Sequence, residues 1–498
     1  MRNLLLGIDI GTSSCKVAVF DELGKVITAK NGKYNVLYPQ PGYAEQNPLD
    51  WWEAIVKCIK EILTEVDPSE IKGIGIDGQS WSAIPVDKEL NVLCNTPIWF
   101  DTRASEICNR VKAKYGENAF FEVSGNPFEP SYTLPKVMWY KENCPDIYEK
   151  MYKILQSNSF IVMQLTGKIS QEYSQGYGLQ CYDIKNRKWD LSVLEELEIR
   201  TDILPDFYEC HEVVGGVTAK VAELTGLLEG TPVVAGGLDA ACGTLGAGVI
   251  NNGETQEQGG QAGGMSICTD QFVANEKLIL SDHVVSGKWL LQGGTVGGGG
   301  TINWFEREFN QYERTLDNGK NSFEMLSEYA SEIKPGSDGL IFLPYMAGER
   351  SPLWNPNAKG MYFGLDFTKT KGHFVRATME GVAYSLQHNI ELAENSGAKV
   401  DKLYAVGGSA NSVVWTSLKA DVTKKEIVLP YSDEATTLGA VILAGVGVGI
   451  YKDFKEAVEK TVRITGKYEP NVENYEVYEK GYKKYRALYE NTKHLMEG

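Results

Sequence analysis

The chain has 498 residues, which predicts two large domains, or three medium ones, at about 100–200 residues each. Hydrophobic residues make up 43% and charged residues 23%, too apolar for a disordered chain and too polar for a membrane one. Lys plus Arg is 49 against 66 for Asp plus Glu, so the formal charge is −17 and a nucleic-acid partner is disfavoured.

In chain order, the first predicted strand is Leu5-Leu6-Gly7-Ile8-Asp9-Ile10. A polar turn, Gly11-Thr12-Ser13-Ser14, leads to a second strand over Lys16 to Phe20 and a third over Lys25 to Ala29, an antiparallel meander. Asp9 interrupts the apolar run too early for a signal peptide. A helix follows Pro48, with Asp50 the expected N-cap and Trp52, Ile55, Val56 and Ile59 on its apolar face. Ile71 to Asp77 reads as a strand, and from there the pattern is mixed α/β. Residues 100–215 are rich in aromatics and polar loops. Val233 to Gly237 reads as a buried strand, and Asp239-Ala240-Ala241 opens a helix of small residues. A second strand-rich stretch starts at Glu254, followed by a helix over Phe374–Asn395, a strand over Lys402–Val406 and C-terminal helices. Leu438 to Ile450, the longest apolar stretch, is too short to span a bilayer and reads as a buried helix. A glycine-rich strand–turn–strand opens each half, near residue 7 and near residue 255, which suggests a large duplication. The boundary is placed at 247/248, giving domains 1–247 and 248–498.

Nine scattered cysteines, odd in number and without a CxxC pair, predict free thiols in a reducing cytoplasm. None of the five histidines stands in HExxH spacing. Glycine is the compositional outlier, 52 residues against ordinary usage of about 7%. Its runs, Gly259-Gly260, Gly263-Gly264 and Gly297 to Gly300, have no Gly-X-Y period and point to tight turns or to backbone lying close to a ligand.

Four segments carry candidate chemistry. In Gly7 to Lys16 a carboxylate ends a strand beside a turn of small residues with free amides. Such a turn can cradle phosphate, and Asp9 can hold Mg²⁺ through water; an ordinary β-hairpin is the alternative. Gly73 to Gly78 matches GxGxxG, but its glycines sit within the strand and no helix follows, so a dinucleotide fingerprint is rejected. In Gly236-Gly237-Leu238-Asp239 a lone acid follows a buried strand. It can accept a proton from a hydroxyl, or simply cap the helix. The turns at Gly259–Gly264, Gly293–Gly300 and Gly407-Gly408-Ser409-Ala410-Asn411 suggest a nucleotide held by backbone. Trp81, Trp99 and Trp304 can stack on a sugar or fill the core.

Taken together these residues resemble the FGGY carbohydrate kinases of the actin-like ATPase superfamily, and most closely their xylulokinase-like branch. The resemblance runs along essentially the whole chain. It rests on Gly7 to Lys16, Trp51-Trp52, Gly75 to Gln79, Trp99 to Arg103, Thr133 to Trp139 and Gly236 to Asp239, and continues through Leu343 to Pro352, Gly360 to Leu365, Arg376 to Ala383 and Gly407 to Ser409. It implies an α/β fold of two ribonuclease-H-like domains with an interdomain active-site cleft. It also implies ATP and Mg²⁺ as cofactors and ATP-dependent phosphorylation of a ketose hydroxyl, a pentulose such as D-xylulose first. Asp239 would be the general base and Asp9 would organise the metal. Gly11, Thr12 and Ser13 would lie against the γ-phosphate. Gly260, Gln261, Gly263, Gly299 and Asn303 would line the phosphates and ribose, and Gly407, Gly408 and Asn411 the adenosine end. Gln79, Ser80 and Trp81 would meet the sugar. The implied partners are a small-molecule sugar and ATP, with neither nucleic acid nor membrane, in a cytoplasmic homodimer.

The chain departs from the family twice. Xylulokinases usually carry Gly-Gln-Met-His where this chain has Gly78-Gln79-Ser80-Trp81, so an indole replaces a histidine at the sugar turn. The family's phosphate turn usually reads Gly-Thr-Ser-Gly, and here it is Gly260-Gln261-Ala262-Gly263. Other acceptors therefore stay open: a hexulose, another pentulose or a sugar alcohol. An actin-like ATPase switch and a sugar-binding regulator without catalysis are the competing classes.

Overall fold

The computed structural model describes residues 2–316, 319–431 and 434–497. The chain divides into two packing units: 1–250 with 270–290 and 434–463, and 251–269 with 291–433 and 464–498.

The first unit is built on β1 (Leu4–Ile10), β2 (Ser14–Phe20), β3 (Val26–Lys33), helix α1 (Pro48–Ile62) and β4 (Ile71–Gly78). It continues through α2 (Thr133–Asn143), α3 (Ser157–Thr166), β5 (Pro232–Val234) and α4 (Asp239–Gly246). Its sheet runs β3–β2–β1–β4–β5, with the edge strand Val213–Gly216 beyond. β1, β2 and β3 form the expected antiparallel meander, while β4 and β5 pair parallel to their neighbours. Both faces are covered, so β1 reads as a nearly continuous apolar run. Asn47, rather than Asp50, caps α1: its side chain accepts from the Leu49 amide at 3.1 Å, with Pro48 at the first helical position. Asp50 sits in the first turn and accepts from Asn47 Nδ2.

The second unit repeats the plan with β6 (Glu254–Gly259), β7 (Gly263–Thr269), β8 (Trp289–Thr295), α5 (Gly299–Phe309) and α6 (Ser322–Ser331). Then come α7 (Lys371–Asn395), β9 (Lys402–Val406), α8 (Val413–Thr423) and β10 (Glu426–Pro430). Helix α9 (Ala435–Gly447) follows in the chain but belongs to the first unit, and β11 (Ile464–Tyr468) and α10 (Tyr475–Thr492) complete the second. The sheet order is β8–β7–β6–β9–β10–β11, with β6/β7 antiparallel and β6/β9 and β9/β10 parallel. The duplication expected from residues 7 and 255 is therefore a duplication of sheet topology. Helix α7 starts three residues before the expected Phe374, because Thr370 and His373 form a reciprocal cap.

The division is not the single cut expected at 247/248. The chain first crosses at 250/251, and 270–290 and 434–463 pack with the first unit. The reason for the larger return is α9, whose small residues lie directly on β1, β4 and α4. A Cβ on Gly75 would sit 1.9 Å from the Ala440 carbonyl oxygen, and one on Gly439 would sit 1.9 Å from that of Cys242. This explains the glycines inside β1 and β4: they admit a helix at close range. Much of the glycine excess is packing rather than nucleotide turns. Among the described residues no helix is long and apolar enough to cross a membrane.

Candidate active site

In the first unit, sheet register brings acids together. Asp9 on β1 stands opposite Asp77 on β4, and Gly237, two residues before Asp239, pairs with Asp77 on the other side. The expected strand Val233–Gly237 is in fact broken. Gly236 adopts φ +78°, since a Cβ there would lie 2.1 Å from the Ile76 carbonyl oxygen, and Gly237-Leu238 then pairs afresh with β4. That break places Asp239 at the first residue of α4. Leu238 occupies the N-cap position, so Asp239 is not the cap, and its Oδ1 accepts from the Ala240 amide at 2.6 Å.

All three carboxyls are raised above the ordinary carboxylate range, each mainly by burial. Burial, then the charge of Asp9, pushes Asp239 up to about 7. Asp9 is raised by burial against the opposing effects of Asp77 and Lys16, and Lys16 pairs with Glu434. Asp77 is fully buried, neither of its oxygens has a hydrogen-bond partner, and burial with the charges of Asp9 and Asp239 raises it well above the carboxylate range. Sequence reasoning gave Asp77 no role, although its strand position beside Asp9 was the available signal.

By register the turn Gly11-Thr12-Ser13 closes a β-hairpin, and its atoms are fixed from outside. Tyr34 Oη donates to the Gly11 carbonyl at 2.6 Å, Gln46 Nε2 to the Thr12 carbonyl at 2.8 Å, and Trp99 Nε1 to Thr12 Oγ1 at 3.0 Å. Ser13 stays exposed. Gln46 also accepts from Gln79 Nε2 at 2.8 Å, which ties this turn to the expected sugar turn. Gln79 is buried and its Oε1 has no partner; Ser80 is half-buried. Trp81 adopts φ +56° and packs edge-on to Tyr132, its centroid 4.6 Å away, and also against Tyr177. Its carbonyl accepts from the buried ammonium of Lys136 at 2.9 Å, while its indole N–H is buried without a partner. Trp99 and Trp81 therefore lie at these turns, whereas Trp304 packs against Phe305 and Phe309.

In the second unit a cavity of about 740 Å³ opens between the β6–β7 turn, α5, α6 and α8. Gly260, Gln261, Gly299, Asn303, Gly408 and Asn411, all expected to hold nucleotide, line it. The turn is built from backbone: the Gly299 and Gly300 amides donate to the carbonyls of Gly260 and Gln261 at 2.8 and 2.9 Å. Asn303 Nδ2 reaches Gln261 Oε1 at 3.4 Å. Gly263 and Gly407 do not line the cavity. Gly263 opens β7 facing Thr295, and Gly407, at φ +87°, passes within reach of the Gly259 carbonyl. Sequence reasoning missed the far wall, where Asn321, Phe323 and Ser327 face the apolar Ile302, Met379 and Trp415. These residues carry no motif, only helix positions. Beneath the 407–411 turn a buried Lys419 donates to Ser409 Oγ at 2.8 Å and to Glu257 at 2.6 Å.

Comparison with known proteins bears on this arrangement. Residues 4–246 match the model of the FGGY family of carbohydrate kinases, N-terminal domain, and residues 269–448 match that of its C-terminal domain. A xylulose kinase of Staphylococcus epidermidis is 34% identical, over 99% of this chain and 98% of its own length. A gluconokinase of Bacillus subtilis is 30% identical, over 100% and 97%. The crystal structure of a xylulose kinase from Rhodospirillum rubrum superposes with a TM-score of 0.92 at 26% identity, covering 99% of this chain and 100% of that one.

Proposed function

The chain belongs to the FGGY family of carbohydrate kinases, and from that premise we propose that it transfers the γ-phosphoryl group of ATP to a hydroxyl of a ketose, a pentulose such as D-xylulose. The observation that carries this reading is Asp239, a lone helix-opening carboxyl raised to about 7 beside Asp9 and Asp77. At neutral pH such a group is divided between its two forms, as a general base requires. Asp239 accepts the hydroxyl proton as the acceptor oxygen attacks phosphorus and the bond to the β-phosphate oxygen breaks, releasing ADP. The sugar lies against Gln79, Ser80 and Trp81, whose unpartnered amide oxygen and indole N–H suit a hydroxyl-bearing ligand. The cavity of the second unit takes the nucleotide, with Gly260, Gln261, Gly299 and Asn303 toward its phosphates and Gly408 and Asn411 toward the adenosine. Gly11, Thr12 and Ser13 receive the γ-phosphate on a turn already fixed by Tyr34, Gln46 and Trp99.

Mg²⁺ fits the residues present. Among the described residues no three His, Cys, Asp or Glu side chains form a metal site by themselves, but Asp77 offers two buried, unpartnered oxygens beside Asp9. Asp9 and Asp77 would hold the ion from the protein side, with nucleotide phosphates and water completing its shell. When bound it neutralises charge that develops on the transferred group.

A second reading, an aldonate acceptor, is favoured by the gluconokinase match and by Trp81 in place of histidine. The electrostatics oppose it. The sugar-side basic groups are already committed, Lys136 to the carbonyls of Trp81 and Ile98 and Arg103 to Asp101 and Glu45, while two further acids, Asp9 and Asp77, stand near the base. A coupled ADP-release assay over pentuloses, hexuloses, sugar alcohols and gluconate decides between them. Turnover highest on gluconate would reject the ketose. Asp239→Asn should lower kcat by about 10²-fold or more while nucleotide binding survives, and full activity in that variant would remove Asp239 as the base.

A further inference from the structure

Behind the strand ends that carry Asp77 and Asp239, four polar side chains, Asn158, Glu172, Ser174 and Gln175, are each completely buried. They form one network. The Glu172 carboxylate receives four donors: the Ser174 amide at 2.6 Å, the Ser174 hydroxyl at 2.5 Å, the Cys210 thiol at 3.3 Å and the Asn158 amide at 3.4 Å. The Ser174 hydroxyl in turn accepts the backbone N–H of Leu238 at 2.9 Å, the residue immediately before Asp239. Asn158 also donates to the Ala235 carbonyl at 3.3 Å, so the network grips the chain on both sides of the Gly236 break. Gln175 extends it to the sugar turn: its amide donates to Asn158 Oδ1 at 2.8 Å and to the Gly78 carbonyl at 3.4 Å, and its Oε1 accepts the Trp81 N–H at 3.3 Å.

We propose that Glu172, acting through the Ser174 hydroxyl, is a positioning residue that sets the direction of Asp239. The backbone leaves the sheet at Gly236 and returns for only Gly237 and Leu238, too few ladder bonds to orient the following side chain. The bond from Leu238 N–H to Ser174 supplies the missing constraint. That hydroxyl is itself locked by a 2.5 Å bond to the buried Glu172 carboxyl, whose three other donors fix it in turn. A buried carboxylate is an expensive group to fold unless its geometry is used. Three of the four donors meet Oε2 and Asn158 Nδ2 meets Oε1, where an amide at 172 would set one NH₂ group against another. Proton transfer tolerates little displacement of the base, so a loosened corner at Leu238 is felt in the chemical step. Glu172 touches neither acceptor nor phosphate in this scheme.

The proposal rests on Asp239 as the base, and the test separates the two. Full-length Ser174→Ala, Ser174→Thr and Asp239→Asn variants are assayed with Mg·ATP and the acceptor most active in the panel above, D-xylulose first. Ser174→Ala should lose about 10-fold or more in kcat with KM for ATP within about twofold of wild type, and Ser174→Thr, which keeps the hydroxyl, should recover most of it. Ser174→Ala with unchanged kcat overturns the proposal. So does a Thr variant as impaired as Ala, or a fall in kcat accompanied by an equal rise in KM for ATP, since a merely structural role moves both. An inactive Asp239→Asn beside a normal Ser174→Ala rejects the network and leaves the base standing; an active Asp239→Asn rejects the base itself. Should Ser174→Ala fail to fold, Glu172→Gln answers the same question, with lowered kcat at constant KM for ATP expected and unchanged kcat fatal.

Discussion

Asp239 owes its properties to neighbours distant in sequence. In isolation a carboxyl behind two glycines reads first as a helix cap and only second as a base. It becomes a base-like group because burial and Asp9 lift it to about 7. The kinetic consequence is a limb in kcat/KM for the acceptor that falls as pH drops below about 7, and a pH–rate profile flat down to pH 5 would contradict it. The thermodynamic sign is opposite. Between its ordinary value of 3.8 and about 7 the folded state holds a proton that the unfolded chain has lost, so stability declines as pH rises through that window. Asp239→Asn should therefore stabilise the ligand-free protein by about 4 kcal/mol more at pH 8 than at pH 4, as urea denaturation would report. Asp77 was the residue least legible in the sequence. A fully buried, unpartnered acid looks like an ordinary strand residue until register sets it between Asp9 and Gly237.

At the level of elements, hydrophobic patterning located the β1–β3 meander, β4, β9 and α9 well, because each is covered on a face that its residues must match. The ends were less legible. Local chemistry decided them: Asn47 outcompeted Asp50 for the α1 cap, and Thr370 with His373 drew α7 back by a turn. The glycines of β1 and β4 carry their meaning only with α9 in place. Gly439→Ala would force a methyl group 1.9 Å from the Cys242 carbonyl oxygen, within the helix that carries Asp239. An unfolding free energy lower by about 3 kcal/mol is expected, with activity reduced in parallel. A neutral result by chemical denaturation would show that α9 can retreat.

For the whole molecule, the two units share one sheet order, and the residues proposed for phosphate lie at similar places: Asp9 one residue before the end of β1 and Gly260 one residue past the end of β6. The −17 charge gives no long-range attraction for a nucleotide, so the binding proposed for the second unit would depend on backbone amides and local shape. Mg·ADP at one hundred times its Kd should add about 2.7 kcal/mol to stability. Gly299→Ala, whose Cβ would lie 2.5 Å from the Gly260 carbonyl oxygen at the cavity wall, should force the turn apart, lowering the ligand-free melting point and abolishing the shift that Mg·ADP adds. A wild-type shift in that variant would exclude this turn from the nucleotide site.

The sequence by itself determined the family, the reaction class and most of the turns, because these reside in short runs whose residue types are dictated by backbone conformation: Gly7 to Lys16, Gly236 to Asp239, Gly259 to Gly263. Tertiary structure alone decided that 434–463 returns to the first unit, that Asp77 completes the acid cluster, and that Glu172 and Ser174 stand behind Asp239. Each of these depends on pairs far apart in the chain, set by sheet register and helix packing, and no local pattern encodes such pairs.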